Sequence, residues 1–505
     1  MKIVIYRWYE LVIFLYLREF GTGGGRHAQT SKTECLGSDT ETGQQKMLEE
    51  LVLQAEGIEM GTLVDGVNTV WVLTVTFLIF FMHAGFAMLE SGQVRSKNVA
   101  NQLTKNMLTW SVGIIAFFLV GAGVSGIVGG LTGGGDYSVA SAFGHLTAEY
   151  TTFEGTNQWT GWLFGGVFAM TAATIVSGAV AGRAKLRAYV GYTVVLAALI
   201  YPVVTGMTWA GGFLANLFGV GFQDFAGGMI VHAVGGIAGL TAAWVIGPRL
   251  DRYDSDGSVN VIPGHSMTFA VLGTLILCFG WYGFNVGTAA TPLASGEGGL
   301  ALGSFSIVGL VALNTTLGMA AGGVGAAAMT LYMNGKVDTL YVANGMLAGL
   351  VAVTGIVDDV IWPGALVVGL LAGAQLPVVF NFIQHKVKID DVCAVFPVHG
   401  SAGVLGILAY PFIAVSGFSV SALIAQVVGV VIITVWTVAA TAVVFGAFKA
   451  FGQARVSEEH EHEGLDISEH GVDTYPEFGG PETVSDGGTV DRTIARDEEG
   501  GPADD

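Results

Sequence analysis

Two short stretches of this chain, 167 residues apart, nearly repeat one another. One runs Asp224-Phe-Ala-Gly-Gly-Met-Ile-Val-His232-Ala-Val-Gly-Gly236, the other Asp391-Val-Cys-Ala-Val-Phe-Pro-Val-His399-Gly-Ser-Ala-Gly403. In each, an aspartate precedes a histidine by eight residues and a glycine follows the histidine at plus four. An imidazole offers a donor and an acceptor and passes a proton near neutral pH. Both stretches enter apolar helical segments, where an ionisable side chain is expensive unless it faces a partner or a cavity. A duplicated membrane domain that sets one buried histidine from each half at its centre is the natural reading, and it points to a conduction path. Two core histidines satisfied by backbone carbonyls are the plain alternative, which the repeat disfavours. A metal site is the third; no further ligand recurs at suitable spacing, so neither a metal nor another cofactor is implied.

The aspartates have a simpler reading. Asp224 stands at the N-terminal end of a helix, where a carboxylate caps free N–H groups and complements the helix dipole. Asp391 is its counterpart in the second stretch and reads as structural. Pro397, two residues before His399, is expected to interrupt helix hydrogen bonding locally.

Elements of the right kind are plentiful. The chain has 505 residues, a mean hydropathy of +0.61, 52% apolar residues and only 12% charged ones, which excludes an ordinary soluble domain of this length. The 76 glycines suit membrane helices that pack closely. The net charge of −19 is concentrated: 16 acids and two bases lie from Val456 onward, in a tail too polar to fold alone. Nothing here suggests a nucleic-acid partner. Three cysteines, Cys35, Cys278 and Cys393, form no framework.

Apolar runs predict eleven helices, at about 69–90, 106–130, 159–182, 188–216, 226–248, 265–286, 303–333, 339–357, 362–385, 394–414 and 418–450. The last is long enough to cross at a steep tilt. Between residues 91 and 390 every Lys and Arg falls after an odd-numbered span or at the edge of that loop, from Arg95 to Lys388. The positive-inside rule then places the N-terminus of the bundle outside and its C-terminus inside. Helices one to five and six to ten consequently form an inverted 5+5 repeat, with the eleventh outside it. The fold class is all-α, a multi-pass protein of the cell membrane in contact with lipid. Residues 1–64 are expected to be an N-terminal extension, either disordered or the product of an over-long start, with a signal peptide as the other option.

The motifs resemble those of the ammonium transporter family (Amt/Mep/Rh). They are 86–98 (FAMLESGQVRSKN), 224–249 with its Gly247-Pro-Arg249 end, 281–288 (WYGFNVGT), 344–354 (NGMLAGLVAVT), 390–403, and 463–471 (EGLDISEHG) followed by Tyr475. They cover about residues 65–475. The resemblance implies a membrane domain over 65–452, a regulatory segment over 453–475 and an acidic disordered tail over 476–505. With the acidic excess, it suggests an archaeal, halophile-like member.

The resemblance also implies roles. His232 and His399 face the pore. Trp209 matches the family's outer tryptophan, Phe168 and Phe284 the two rings that close the pore beneath it, and Thr288 the position of a serine. Trp281 belongs with the pore motif, and Asp224 shapes the outer site without direct contact. The function implied is transport, not catalysis: ammonium is recruited outside, deprotonated, and ammonia is conducted, with the proton crossing separately. A homotrimer and a PII-type signalling protein at the cytoplasmic face are the implied partners. An ammonium sensor and a passive Rh-type gas channel are the alternatives; sensor members carry a folded signalling domain after the last helix. One departure stands out. The family pattern Asp-Asp-Pro-x-Asp-x-Phe-x-Val-His reads here with Val392 and Ala394 in place of the proline and the third acid, which puts the capping at that helix end in doubt.

Overall fold

The computed structural model describes residues 60–134, 138–289, 291–296 and 299–476. The chain before residue 60 and the acidic tail beyond 476 lie outside the described residues.

Ten helices are long and apolar enough to cross a membrane. In chain order they are α1 (Met60–Gln93), α2 (Ser96–Gly133), α3 (Phe153–Val180), α4 (Leu186–Met207), α5 (Gly228–Ile246), α6 (Met267–Thr288), α7 (Phe305–Asn334), α9 (Trp362–Val387), α10 (Phe396–Ile413) and α11 (Val420–Ala450). A shorter apolar helix, α8 (Thr339–Thr354), lies between α7 and α9. At 16 residues it rises about 24 Å, less than the hydrocarbon core and less than the 339–357 expected. The described residues also hold one antiparallel hairpin, Leu293–Gly296 with Gly299–Leu302, which the all-α expectation missed. Asn68 of α1 pins it by exchanging two hydrogen bonds of 3.0 Å with the Leu293 backbone.

The packing repeats between halves. α1 packs on α3 as α6 packs on α8; α3 packs on α5 as α8 packs on α10; α1 and α6, equivalent in the repeat, pack on one another. At the centre α5 and α10 cross with backbones in contact. A Cβ at Gly236 would stand 2.3 Å from Gly400 N, and one at Gly403 would stand 2.3 Å from Gly228 O and 3.1 Å from Ala233 Cβ. Each plus-four glycine of the sequence repeat therefore meets the residue just after the other histidine.

Two helix ends differ from expectation, for identifiable reasons. α4 stops at Met207 rather than near 216, because Thr208 leaves helical geometry (φ −115°, ψ −94°) and its hydroxyl bonds back to Val204 O. Trp209 is thereby released from the helix. α2 begins at Ser96 rather than 106, taking up a polar stretch that reads as loop. Its buried Asn101, Gln102 and Asn106 donate through their amide nitrogens to carboxylates, Asn98 accepts on Oδ1 from Leu465 N, and the first backbone amides are capped from far along the chain. Asp466 Oδ2 accepts from Ala100 N (3.0 Å) and Oδ1 from Asn101 N (2.8 Å). Asp466 belongs to the segment after α11, which carries short helices α12 (Glu458–Glu463) and α13 (Leu465–His470) and lies along the face that bears the basic loops. Glu469 caps α4 at Leu186 N (2.9 Å), Glu461 accepts from Leu250 N (2.6 Å), and Tyr475 Oη meets His265 Nε2 at 2.7 Å.

Candidate functional site

Each histidine is placed by the aspartate eight residues before it. Asp224 accepts four backbone N–H bonds, Gly227 and Gly228 on Oδ1 (2.9 and 2.7 Å) and Met229 and Ile230 on Oδ2 (2.9 and 2.7 Å), filling the donors that open α5. Burial pushes its carboxyl up to about 6 despite those four bonds. Asp391 repeats the device with two bonds, from Val395 (2.9 Å) and Phe396 (2.8 Å). The third residue after each aspartate is left-handed: Gly227 at φ +96°, Ala394 at φ +55°. A non-glycine there costs about 1–2 kcal/mol, partly offset by the extra freedom glycine has when unfolded. Ala394→Gly is therefore expected to stabilise the protein by about 1 kcal/mol, read as a higher thermal midpoint in detergent.

After these caps the chain does not enter an ordinary α-helix. Gly228–Ala233 and Phe396–Gly400 each form a π-helical turn, and His232 and His399 lie in them. Such turns cluster at functional sites and no spacing rule foretells them. Pro397 falls in the first turn, where a missing N–H leaves nothing unpaired; the departure from α-helical hydrogen bonding expected beside it is the π-helical turn that contains it, and Gly228–Ala233 makes the same turn without a proline.

The two imidazoles stack almost parallel, with ring centroids 5.4 Å apart and planes 16° apart. Both are buried, His232 completely and His399 with 4% exposed. Neither ring nitrogen of His232, nor Nδ1 of His399, has a hydrogen-bond partner among the described residues. Buried polar groups are nearly always paired, so these nitrogens call for an explanation. Trp281 stacks on His232 at 4.6 Å and 16°, held by its Nε1 donating to Thr354 Oγ1 at 2.8 Å.

Beyond His232 a file of rings leads to the opposite face. Phe284 lies 5.1 Å from His232 and 4.2 Å from Phe168, and Phe168 meets Trp209 edge-on at 5.9 Å. Trp209 is 42% exposed, and its indole N–H donates to Asp224 O at 2.8 Å. Trp209, Phe168, Phe284, Trp281, His232 and His399 thus form one continuous aromatic file, with Asp224 behind it. Thr288 is less tightly joined. Its hydroxyl donates to Phe284 O at 2.9 Å, which leaves the oxygen able to accept, and no hydrogen bond links it to Trp209 among the described residues.

The other end of the file is anchored by charge. Asp390, wholly buried, takes Arg249 bidentately (Nε 2.7 Å, Nη2 2.9 Å), with Arg252 Nε at 3.3 Å, while the buried Arg183 donates to its carbonyl at 2.7 Å. Burial alone would raise the Asp390 carboxyl; Arg249 and then Arg183 hold it well below the usual carboxylate range. Motif spacing had grouped Asp390 only with the second stretch. Its partners come from loops that no local pattern connects. Among the described residues no cluster suited to a metal ion occurs.

Known proteins resemble this chain over most of its length. The model of the Ammonium Transporter Family matches residues 70–475. Ammonium transporter Amt2 of Haloferax mediterranei is 68% identical over 436 residues, 85% of this chain and 94% of that protein. Ammonium transporter Amt1 of the same organism is 53% identical over 427 residues, 83% and 81% of the two chains. A solved structure described as "Sensor Amt Protein" superposes with a TM-score of 0.71 at 30% identity, covering 81% of this chain and all of that one. With its membrane helices, its twin repeat and these relatives, the chain belongs to the ammonium transporter family.

Proposed function

We propose that the chain recruits ammonium at Trp209, strips its proton, and conducts ammonia past Phe168 and Phe284 and along the twin histidines. The proton crosses separately, so net transport is electrogenic. The observation that carries this reading is the pair of stacked, buried imidazoles with unpartnered nitrogens at the inner end of the aromatic file. An uncharged solute passes rings that would repel a hydrated ion, and the free nitrogens offer hydrogen bonds along the way. Ammonium and potassium are similar in size, and only ammonium donates hydrogen bonds while also favouring an aromatic face. Trp209 supplies that face, and Thr288 supplies a hydroxyl oxygen near the same end. On the positive-inside reading the face with the basic loops and the docked segment is the cytoplasmic one, and there a PII-type protein would meet residues 453–475 of each protomer of a homotrimer.

Trp209→Leu removes a contact of roughly 0.5–2 kcal/mol, so half-saturation for ammonium is expected to rise about two- to thirty-fold. Currents from reconstituted protein, first with ammonium and then with potassium, measure it; an unchanged half-saturation and selectivity would make Trp209 a packing residue. A sensor reading has one observation in its favour, the likeness to the Sensor Amt Protein structure. The same recording separates the two, because a sensor needs no sustained ammonium current.

A further inference from the structure

One buried acid lies beside the turn that leads into His399 and has no part in the relay so far described. Glu90, near the end of α1 and 2% exposed, follows Phe86 by four residues, and the Phe86 ring centroid lies 6.2 Å from that of His399. Residues four apart share a helix face, so Glu90 stands about one turn, ~5 Å, beyond Phe86 toward the basic loops. A second element gives the same placement. A Cβ at Gly178 would stand 2.9 Å from Glu90 Oε1 and 3.0 Å from both Cys393 Cβ and Val395 Cγ2. Val395 is one turn before His399, so Glu90 borders the turn that leads into that histidine.

The two carboxylate oxygens are used unequally. Oε2 accepts from Gln102 Nε2 (2.7 Å), Asn106 Nδ2 (2.8 Å) and Ser177 Oγ (2.6 Å). Oε1 accepts no hydrogen bond among the described residues. Three donors on one oxygen fix the side chain and leave the other oxygen free. Lys105 from α2, Tyr189 from α4 and Cys393 before α10 are the titratable groups facing it. The Lys105 ammonium is buried without a hydrogen-bond partner and stands as the local counter-charge.

We propose that Glu90 accepts the proton from His399 on Oε1 and releases it toward the basic face. The inference rests on the twin-histidine relay proposed above. An N–H bond of the His399 imidazolium breaks as water relays the proton and an O–H bond forms on Oε1, and His399 returns to neutral. The O–H bond then breaks to water at the basic face and the carboxylate is restored. One positive charge crosses for each ammonium deprotonated.

The test is current from protein reconstituted at equal amounts in liposomes. Glu90→Gln keeps the shape and an acceptor for the three donors but cannot take the proton, and current is expected to fall at least about tenfold. Glu90→Asp keeps the carboxyl and is expected to restore part of it. Gly178→Ala sets a methyl against Oε1 and is expected to lower current without altering any titrating group. Wild-type current in Glu90→Gln, alongside loss in His232→Ala, overturns the Glu90 proposal and leaves the relay intact. Wild-type current in His232→Ala as well removes the relay itself, and Glu90 with it. Equal loss in Glu90→Gln and Glu90→Asp, with a lowered thermal midpoint in both, makes Glu90 a structural tie and overturns the proposal.

Discussion

Replacing His232 with alanine is expected to abolish ammonium-driven current, by at least about a hundredfold, while the protein remains folded in the membrane. Positioned proton-transfer groups contribute on that order, and the change deletes one of two imidazoles whose stacking at 5.4 Å leaves no other bridge between Phe284 and His399 among the described aromatic contacts. Folding is expected to survive because neither His232 nitrogen ties the fold by a hydrogen bond. The space left beside Trp281 costs packing, of the order of a few kcal/mol for a large buried side chain. Solid-supported membrane recording at matched protein density gives the measurement. Undiminished current in the variant would refute the relay.

The largest expected effect on stability lies at the other end of the file. Arg249→Ala leaves the Asp390 carboxylate buried and poorly paired, which typically costs about 3–5 kcal/mol; Arg252 at 3.3 Å argues for the lower part of that range. The pH dependence has a definite sign. Asp390 titrates well below the ordinary carboxylate range when folded, so it stabilises the native state above the unfolded value near pH ~4 and loses that contribution as pH falls through the folded value. The deficit of the variant should accordingly be full at neutral pH and shrink as pH falls below about 4, where the carboxyl that has lost Arg249 protonates and no longer leaves a buried, poorly paired charge. Thermal midpoints in detergent across pH 3–7 check this. Replacing both partners with apolar residues should recover much of the loss, because no unpaired charge then remains.

Much of this is legible in the amino-acid sequence. Asp224, His232, Asp391 and His399 declare the duplication by spacing alone, and the plus-four glycines mark where the two halves touch. Trp209, Phe168, Phe284 and Trp281 became site candidates through register within the family's motifs, since each aromatic alone would read as core. Three features were hidden, for one shared reason: they depend on partners distant in the chain. The start of α2 at Ser96 needs Asp466 as its cap. The buried arginine cluster joins loops after α3, α5 and α9. The π-helical turns at both histidines lie at the α5–α10 crossing, where residues far apart in the chain meet. Glu90 was visible in a motif, yet only the α1–α3–α10 packing sets it beside the histidine turn.

The α5–α10 crossing also bears on how the protein is made. Gly236 and Gly403, the plus-four glycines that touch the opposite half, are 167 residues apart in synthesis. At about 5–20 residues per second, α5 waits roughly ten to thirty seconds before α10 leaves the ribosome. Throughout that interval its small-residue face and an unpartnered imidazole have only lipid, translocon or the first-made helices to meet. The first half of this chain is therefore inserted as an unfinished half-site, and biogenesis must hold it open for its twin.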